Sequence, residues 1–90
     1  MAEGESYQVY VLRNSGGKFY IGLSRDVSVR LAQHNAGLSK WTRSRGPWSV
    51  VWTSGFLSLR EARKLENYLK RQKGGRGFYT AIGLEPHSGS

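Results

Sequence analysis

The 90-residue chain has no cysteine, which excludes a disulfide framework and any thiolate metal site. Acidic residues are scarce. Six Asp and Glu stand against fourteen Lys and Arg, for a net charge of +8, a balance that favours nucleic acid or an anionic surface as partner. No apolar run approaches the roughly 20 residues that a membrane-spanning helix needs. The first residues, Met1 to Ser6, are acidic and polar, unlike a secretion signal. Together with the missing cysteine they point to a cytoplasmic protein with no membrane association. There is no internal repeat and no linker, so the 90 residues read as one domain. A domain this small buries only about 60% of its unfolded surface. Its core must come from Tyr, Trp, Phe, Leu, Val and Ile.

The basic residues are clustered. Three fall between Lys40 and Arg45 with no acid among them, and seven fall between Arg60 and Arg76 against two acids. Trp41, Trp48 and Tyr68 are interleaved with them, a mixture suited to phosphate contact combined with base stacking.

Tyr7 to Leu12 is rich in β-branched and aromatic residues and reads as a strand. Asn14-Ser15-Gly16-Gly17 reads as a turn and Lys18 to Leu23 as the second strand of a hairpin. On that second strand Phe19, Ile21 and Leu23 share one face, Tyr20 and Gly22 the other. Ser24 or Asp26 can cap a helix running to about Ala36, with Gly37 as its left-handed terminator. Val27, Leu31, His34 and Leu38 lie along one stripe of it. A polar loop from Ser39 to Pro47 leads to a third strand, Trp48 to Thr53. Ser58-Leu59-Arg60-Glu61 fits a capping box. The helix it starts runs to about Lys73, with Ala62, Leu65 and Leu69 facing inward, and Gly74-Gly75 ends it. Phe78 to Leu84 suits a last helical turn or a short strand. The predicted order is ββαβα over residues 7–84, between disordered ends at 1–6 and 85–90.

Several residues could carry chemistry. Glu66 sits one turn after Ala62, at the edge of the apolar stripe of a basic helix. Such a carboxylate either pairs with Lys70 at i,i+4 or holds Mg²⁺ or Mn²⁺, since hard cations often use one carboxylate plus substrate phosphate oxygens. Arg30 and His34 share a helix face. They are either a snorkelling arginine and a hydrogen-bonded core histidine or a pair that grips a phosphate. Tyr10 and Tyr20 project to one side only if the hairpin register allows it, because a one-residue slip separates them. Gly22 leaves room for close approach by a helix or a phosphate.

Taken together, these residues resemble the GIY-YIG nuclease superfamily. Gln8-Val9-Tyr10 is followed after nine residues by Tyr20-Ile21-Gly22, Arg30 comes ten residues after Tyr20, His34 one turn later, and Glu66 lies in a Glu-Ala-Arg-Lys-Leu-Glu helix. The likeness covers residues 7 to about 84. His34-Asn35-Ala36-Gly37 and Thr42-Arg43-Ser44-Arg45-Gly46-Pro47-Trp48 look closest to short stand-alone bacterial members and to the nuclease half of structure-specific flap endonucleases. There are departures. Gln8 and Val9 replace the name-giving Gly and Ile. Leu23 stands where repair excinucleases carry lysine. Phe78-Tyr79-Thr80 lies where they carry asparagine. With no cysteine, there is no appended zinc module.

The resemblance implies an α/β fold, a small three-stranded antiparallel sheet flanked by helices. It implies a divalent-metal-dependent DNA endonuclease, structure- or single-strand-selective, in DNA repair or processing. Glu66 would hold Mg²⁺ or Mn²⁺, Arg30 would clamp the phosphate, Tyr10 or Tyr20 would help remove a proton from the attacking water, and His34 would orient or relay. Lys40, Arg43, Arg45, Arg63, Lys64, Lys70 and Arg71 would form the DNA track. The charge pattern also fits a non-catalytic module binding DNA or RNA, including an RNA-binding protein associated with translation.

Overall fold

The computed structural model describes residues 6–38, 42, 45–73 and 75–83. The six elements are β1 (Gln8–Asn14), β2 (Phe19–Ser24), α1 (Val27–Asn35), β3 (Trp48–Thr53), α2 (Leu59–Gln72) and α3 (Arg76–Ile82). The disordered ends expected at 1–6 and 85–90 lie outside the described residues apart from Ser6, as does Leu84.

Val9, Tyr10, Val11 and Leu12 are all buried. A strand buried on both faces belongs in the middle of a sheet, and β1 is the central strand of the antiparallel order β2-β1-β3. One face carries Val9, Val11, Phe19 and Ile21, covered by Ala62 and Leu69 of α2 and by Phe78 and Ile82 of α3. The other carries Tyr10, Leu12 and Trp48, with Tyr20, Val50 and the α1 residues Val27 and Leu31 packed on them. The domain is therefore a sheet with helices on both faces.

The hairpin closes as a three-residue loop. Gly17 N–H donates to Asn14 O and Asn14 N–H to Lys18 O, each at 3.0 Å, with Gly17 left-handed at φ 85°. A glycine is favoured there because a Cβ would strain that backbone. On β3 the alternation breaks. Val11 faces Trp52 while Leu12 faces Val50, so Val51 is the extra residue of a bulge. The bulge lets Trp48 and Val50 pack beside Tyr10 while Val51 and Trp52 pack on the opposite core.

Local chemistry sets the helix ends. Asp26 caps α1 by accepting from Val29 N–H. At the other end Leu38 N–H donates to Gln33 O and Gly37 N–H to His34 O, with Gly37 at φ 82°. These two bonds form a Schellman termination. It turns the chain away, so Leu38 is 72% exposed and does not continue the expected apolar stripe. Ser58 and Glu61 form the reciprocal capping box of α2. The segment after Gly75 is a third helix rather than part of a ββαβα order, because Phe78 and Ile82 fall one turn apart and both bury. Phe78 meets Phe19 edge-on at 5.0 Å between ring centroids.

Gly22 pairs with Tyr10 across the hairpin, and the tyrosine ring, not a helix or a phosphate, fills the space above it. A Cβ at Gly22 would lie 2.6 Å from Tyr10 Oη and 2.7 Å from Cζ. Tyr10 is 1% exposed and has no room to step aside. Gly22→Ala should therefore destabilise the fold by about 1–3 kcal/mol, as overpacking does. Urea denaturation checks this, and a midpoint equal to wild type would mean the ring has slack.

Candidate functional site

The face of the sheet under α1 holds most of the candidate residues. Tyr10 and Tyr20 are not directly opposed, since Tyr10 faces Gly22 and Tyr20 faces Leu12. The offset is two residues, so both side chains remain on one face, with ring centroids 6.3 Å apart. Asp26 starts α1 so that His34 descends between them. The His34 ring is 4.7 Å from Tyr20 and 6.1 Å from Tyr10, centroid to centroid.

His34 is 1% exposed and bonded at both nitrogens. Nε2 lies 3.0 Å from Tyr10 Oη and Nδ1 2.7 Å from Thr42 Oγ1. Burial, and then the positive charge of Arg30, push the imidazole below its ordinary pKa, so the ring is neutral in the neutral range. Tyr10 shifts the opposite way. Burial raises its phenol. A hydrogen bond and the charge of Arg30 pull it down without cancelling the rise, and the negative influence of Tyr20 and Glu66 adds to it. Arg30 lowers the Tyr10 phenol, but desolvation is larger, so Tyr10 is held protonated.

Arg30, Tyr20 and Glu66 all act on Tyr10 electrostatically. Arg30 Nη1 donates to Gln33 Oε1 at 2.5 Å, a positioning partner on the next turn of α1. Glu66 comes from α2, which packs on β2 and β1. Its carboxylate Oε2 lies 3.1 Å from Lys70 Nζ, with the Glu66 side chain 16% exposed. The i,i+4 pair is real. With the lysine half in solvent, it stabilises the helix by only a few tenths of a kcal/mol.

The basic residues divide by helix geometry. At about 100° per residue, Arg63 and Lys70 flank Glu66, while Lys64 and Arg71 point to the far side of α2. All four are exposed, as is Arg45. Lys40 and Arg43 lie outside the described residues. Lys73 joins Lys70, Tyr20 and Ile21 around an open hollow of about 340 Å³ at the β2 edge. Partial burial, then the charges of Lys70 and Lys18, hold Lys73 below the ordinary lysine range, so three lysines share one electropositive corner. Trp48 is 3% exposed, with Nε1 donating to Thr42 O at 3.1 Å. It is a core residue, not the stacking platform expected of it. Trp41 lies outside the described residues, and Tyr68 is 41% exposed.

Among the described acids, Asp26 caps α1 and Glu61 caps α2, which leaves Glu66 for other work. No group of three or more His, Cys, Asp or Glu forms a metal cage among the described residues. The donor set fits a hard cation that takes one carboxylate from the protein and completes its shell with phosphate oxygens and water.

Comparison with known proteins gives the class of domain to which this fold belongs. Residues 6–78 match the GIY-YIG catalytic domain. The chain belongs to the GIY-YIG family, among the short stand-alone members known as UPF0213 proteins. One such protein, from Streptococcus pneumoniae serotype 4, is 44% identical over 66 residues, 72% of this chain and 67% of its own. Another, from Cupriavidus pinatubonensis, is 42% identical over 72 residues, 79% of this chain and 80% of its own. A UPF0213 protein of Bacillus halodurans, solved by solution NMR, has 32% identity and a TM-score of 0.45, covering 88% of this chain and 98% of that one. GIY-YIG proteins are nucleases that act on nucleic acid and generally use divalent metal. Among the described residues no helix is long and apolar enough to cross a membrane.

Four contributors escaped sequence reasoning: Thr42, Gln33, Lys18 and Lys73. Only Thr42 carried a signal, as the first described residue of the Thr42–Trp48 motif.

The depressed His34 predicts a pH effect. An unfolded histidine takes up a proton near 6.5, whereas folded His34 resists until lower pH. Below about 6.5 the unfolded state therefore binds more protons, so stability rises with pH there and is lost as pH falls. One such group contributes a slope of at most about 1.4 kcal/mol per pH unit. His34→Gln should flatten the pH 5–7 limb of the denaturation midpoint. The Asp26 carboxylate, also lowered, by its hydrogen bonds to Ser28 and Val29, acts only below its ordinary 3.8 and leaves that window clear. An unchanged limb in the variant would mean His34 ionises freely in the fold.

Proposed function

We propose that the protein is a divalent-metal-dependent DNA endonuclease of DNA repair or processing, which hydrolyses phosphodiester bonds at structured or single-stranded sites. The observation that carries this reading is the Tyr10 hydroxyl, bonded to His34 Nε2 at 3.0 Å with Arg30, Tyr20 and Glu66 in its electrostatic surroundings. The charges of Arg30 and Glu66 both act on this hydroxyl, which supports reading the three as a phosphate clamp, a metal-holding carboxylate and a proton acceptor.

Glu66 would hold Mg²⁺ or Mn²⁺ with its carboxylate, turning partly from Lys70. A bound ion supplies positive charge to the leaving oxygen and the phosphate. Arg30, steadied by Gln33, donates to the phosphate oxygens as charge develops. Because burial keeps the Tyr10 phenol protonated, Tyr10 serves as base only by passing on its own proton. The attacking water gives a proton to Tyr10 Oη, and Tyr10 gives its phenolic proton to His34 Nε2, which is neutral and able to accept. Tyr20 packs on His34 and holds the ring in place. Lys and Arg contacts to phosphate carry little base information, so the selectivity expected is for shape and strandedness.

The Glu66–Lys70 pair at 3.1 Å is also what a non-catalytic binding module would keep, and one variant separates the two readings. Glu66→Ala should lose metal-dependent nicking of labelled DNA by at least about 100-fold, with fold and DNA affinity largely retained. Cleavage at the wild-type rate removes Glu66 from the mechanism. A wild type that binds but never cuts a panel of duplex, single-stranded, flap and branched DNA, with either metal, is a binding module.

The lysine corner beside Tyr20 predicts a salt effect. If Lys18 and Lys73 both meet phosphate, Lys18→Gln with Lys73→Gln should flatten the slope of log affinity against log salt by roughly one to two units on duplex DNA. The same change should be seen on unrelated sequences. A slope equal to wild type would move the DNA path off this edge.

A further inference from the structure

The Thr42–Trp48 motif is not used by the mechanism above, yet it is tied to the site at several points. Thr42 is fully buried. Its carbonyl oxygen accepts from Arg45 N–H and from Trp48 Nε1, both at 3.1 Å. The Asn35 side chain grips Trp48 in turn. Asn35 Oδ1 accepts from Trp48 N–H at 2.7 Å, and Asn35 Nδ2 donates to Trp48 O at 3.0 Å. Asn14 Nδ2 donates to Arg45 O at 2.8 Å. The backbone at Thr42 is thus pinned from both ends of the motif, and its Oγ1 stands 2.7 Å from His34 Nδ1.

A neutral imidazole has one donor and one acceptor nitrogen, and the bond made by one decides the role of the other. Two hydroxyls compete for the single acceptor here. The phenol of Tyr10 is the stronger acid and the better donor to it. The positive charge of Arg30 favours loss of the Tyr10 proton, which strengthens the phenol further as the donor to Nε2. The hydrogen bonds then run one way, from Tyr10 to His34 Nε2 and from Nδ1–H to Thr42.

We propose that Thr42 is a positioning residue that fixes the His34 tautomer, its hydroxyl oxygen accepting the Nδ1 proton so that the Nε2 lone pair faces the Tyr10 hydroxyl. The catalytic consequence rests on the nuclease reading; the tautomer does not. Without the hydroxyl, Nδ1–H would be buried with no acceptor, which folded proteins avoid. The ring would then carry its proton on Nε2 and donate to Tyr10, and a nitrogen that already bears a proton cannot take the one Tyr10 must release.

The test compares wild type, Thr42→Val, which keeps the shape and loses the hydroxyl, and Thr42→Ser, which keeps the hydroxyl. Imidazole nitrogen NMR shifts of the ¹⁵N-labelled protein report the tautomer, with His87→Gln separating the two histidines. Wild type and Thr42→Ser should show a protonated Nδ1, and Thr42→Val a protonated Nε2. In parallel, kcat for metal-dependent DNA cleavage should fall roughly 10- to 100-fold in Thr42→Val with DNA affinity within about twofold, and return in Thr42→Ser. A protonated Nε2 in wild type overturns the proposal, as does a Thr42→Val protein that keeps the wild-type tautomer or the wild-type kcat. Should Thr42→Val fail to fold, the wild-type and Thr42→Ser spectra decide. If wild type cuts no DNA, the nuclease reading falls, and the spectra still decide what Thr42 does.

Discussion

A phenol on the central strand of a small sheet has to be hydrogen-bonded or it destabilises the fold. Tyr10 is 1% exposed, and leaving its hydroxyl unpaired would cost about 1–3 kcal/mol. The surrounding structure meets that demand. Gly22 gives up its Cβ so the ring can lie across β2, α1 descends at an angle set by its Asp26 cap, and His34 arrives with Nε2 toward the hydroxyl. His34 is then a second buried polar group and needs a partner of its own, which Thr42 supplies. No buried side-chain nitrogen or oxygen among the described residues is left without a partner. The arrangement that satisfies the core is the one that places a proton acceptor behind a tyrosine.

The two readings open for His34, a bonded core residue or a catalytic one, are therefore compatible under the proposed function. Burial makes the histidine structural and also lowers its proton affinity, keeping it neutral. The same burial keeps Tyr10 protonated. Under the proposed function that favours a relay over a standing phenolate, the phenol gaining one proton as it loses another. Neither group needs an extreme pKa for that, only the correct direction of the hydrogen bonds between them.

What could be read in the sequence follows from period and local chemistry. Tyr7 to Leu12 is rich in β-branched and aromatic residues and Lys18 to Leu23 alternates, so the hairpin and the shared face of Tyr20 and Gly22 were legible. The capping box at Ser58 and the Gly37 terminator announce themselves through side chains that bond their own backbone. The third helix was ambiguous because seven residues are too few to separate a helical period from an apolar strand. The Val51 bulge breaks the alternation that strand reading depends on, and no local residue type marks it. Hairpin register is also non-local. Direct opposition of Tyr10 and Tyr20 and the observed two-residue offset both put the rings on one face, and only the structure tells them apart. Thr42 shows no role in the sequence, because its partner His34 is eight residues away.

The charge of Glu66 acts on Tyr10 from a helix on the opposite face of the sheet. α2 covers the Val9 and Val11 face, while Tyr10, Tyr20 and His34 lie on the other. Contact between the two sides is easiest where the sheet ends, at β2, and Lys70, Lys73 and Tyr20 meet there around one hollow. On a sheet of only three strands the edge lies one strand from the centre, about 5 Å away, so a carboxylate on a flanking helix remains within electrostatic reach of the central tyrosine. In a wider sheet the charge of Glu66 would have to cross more backbone to act on Tyr10. The small size that limits the hydrophobic core thus also allows residues from both layers to act on one hydroxyl.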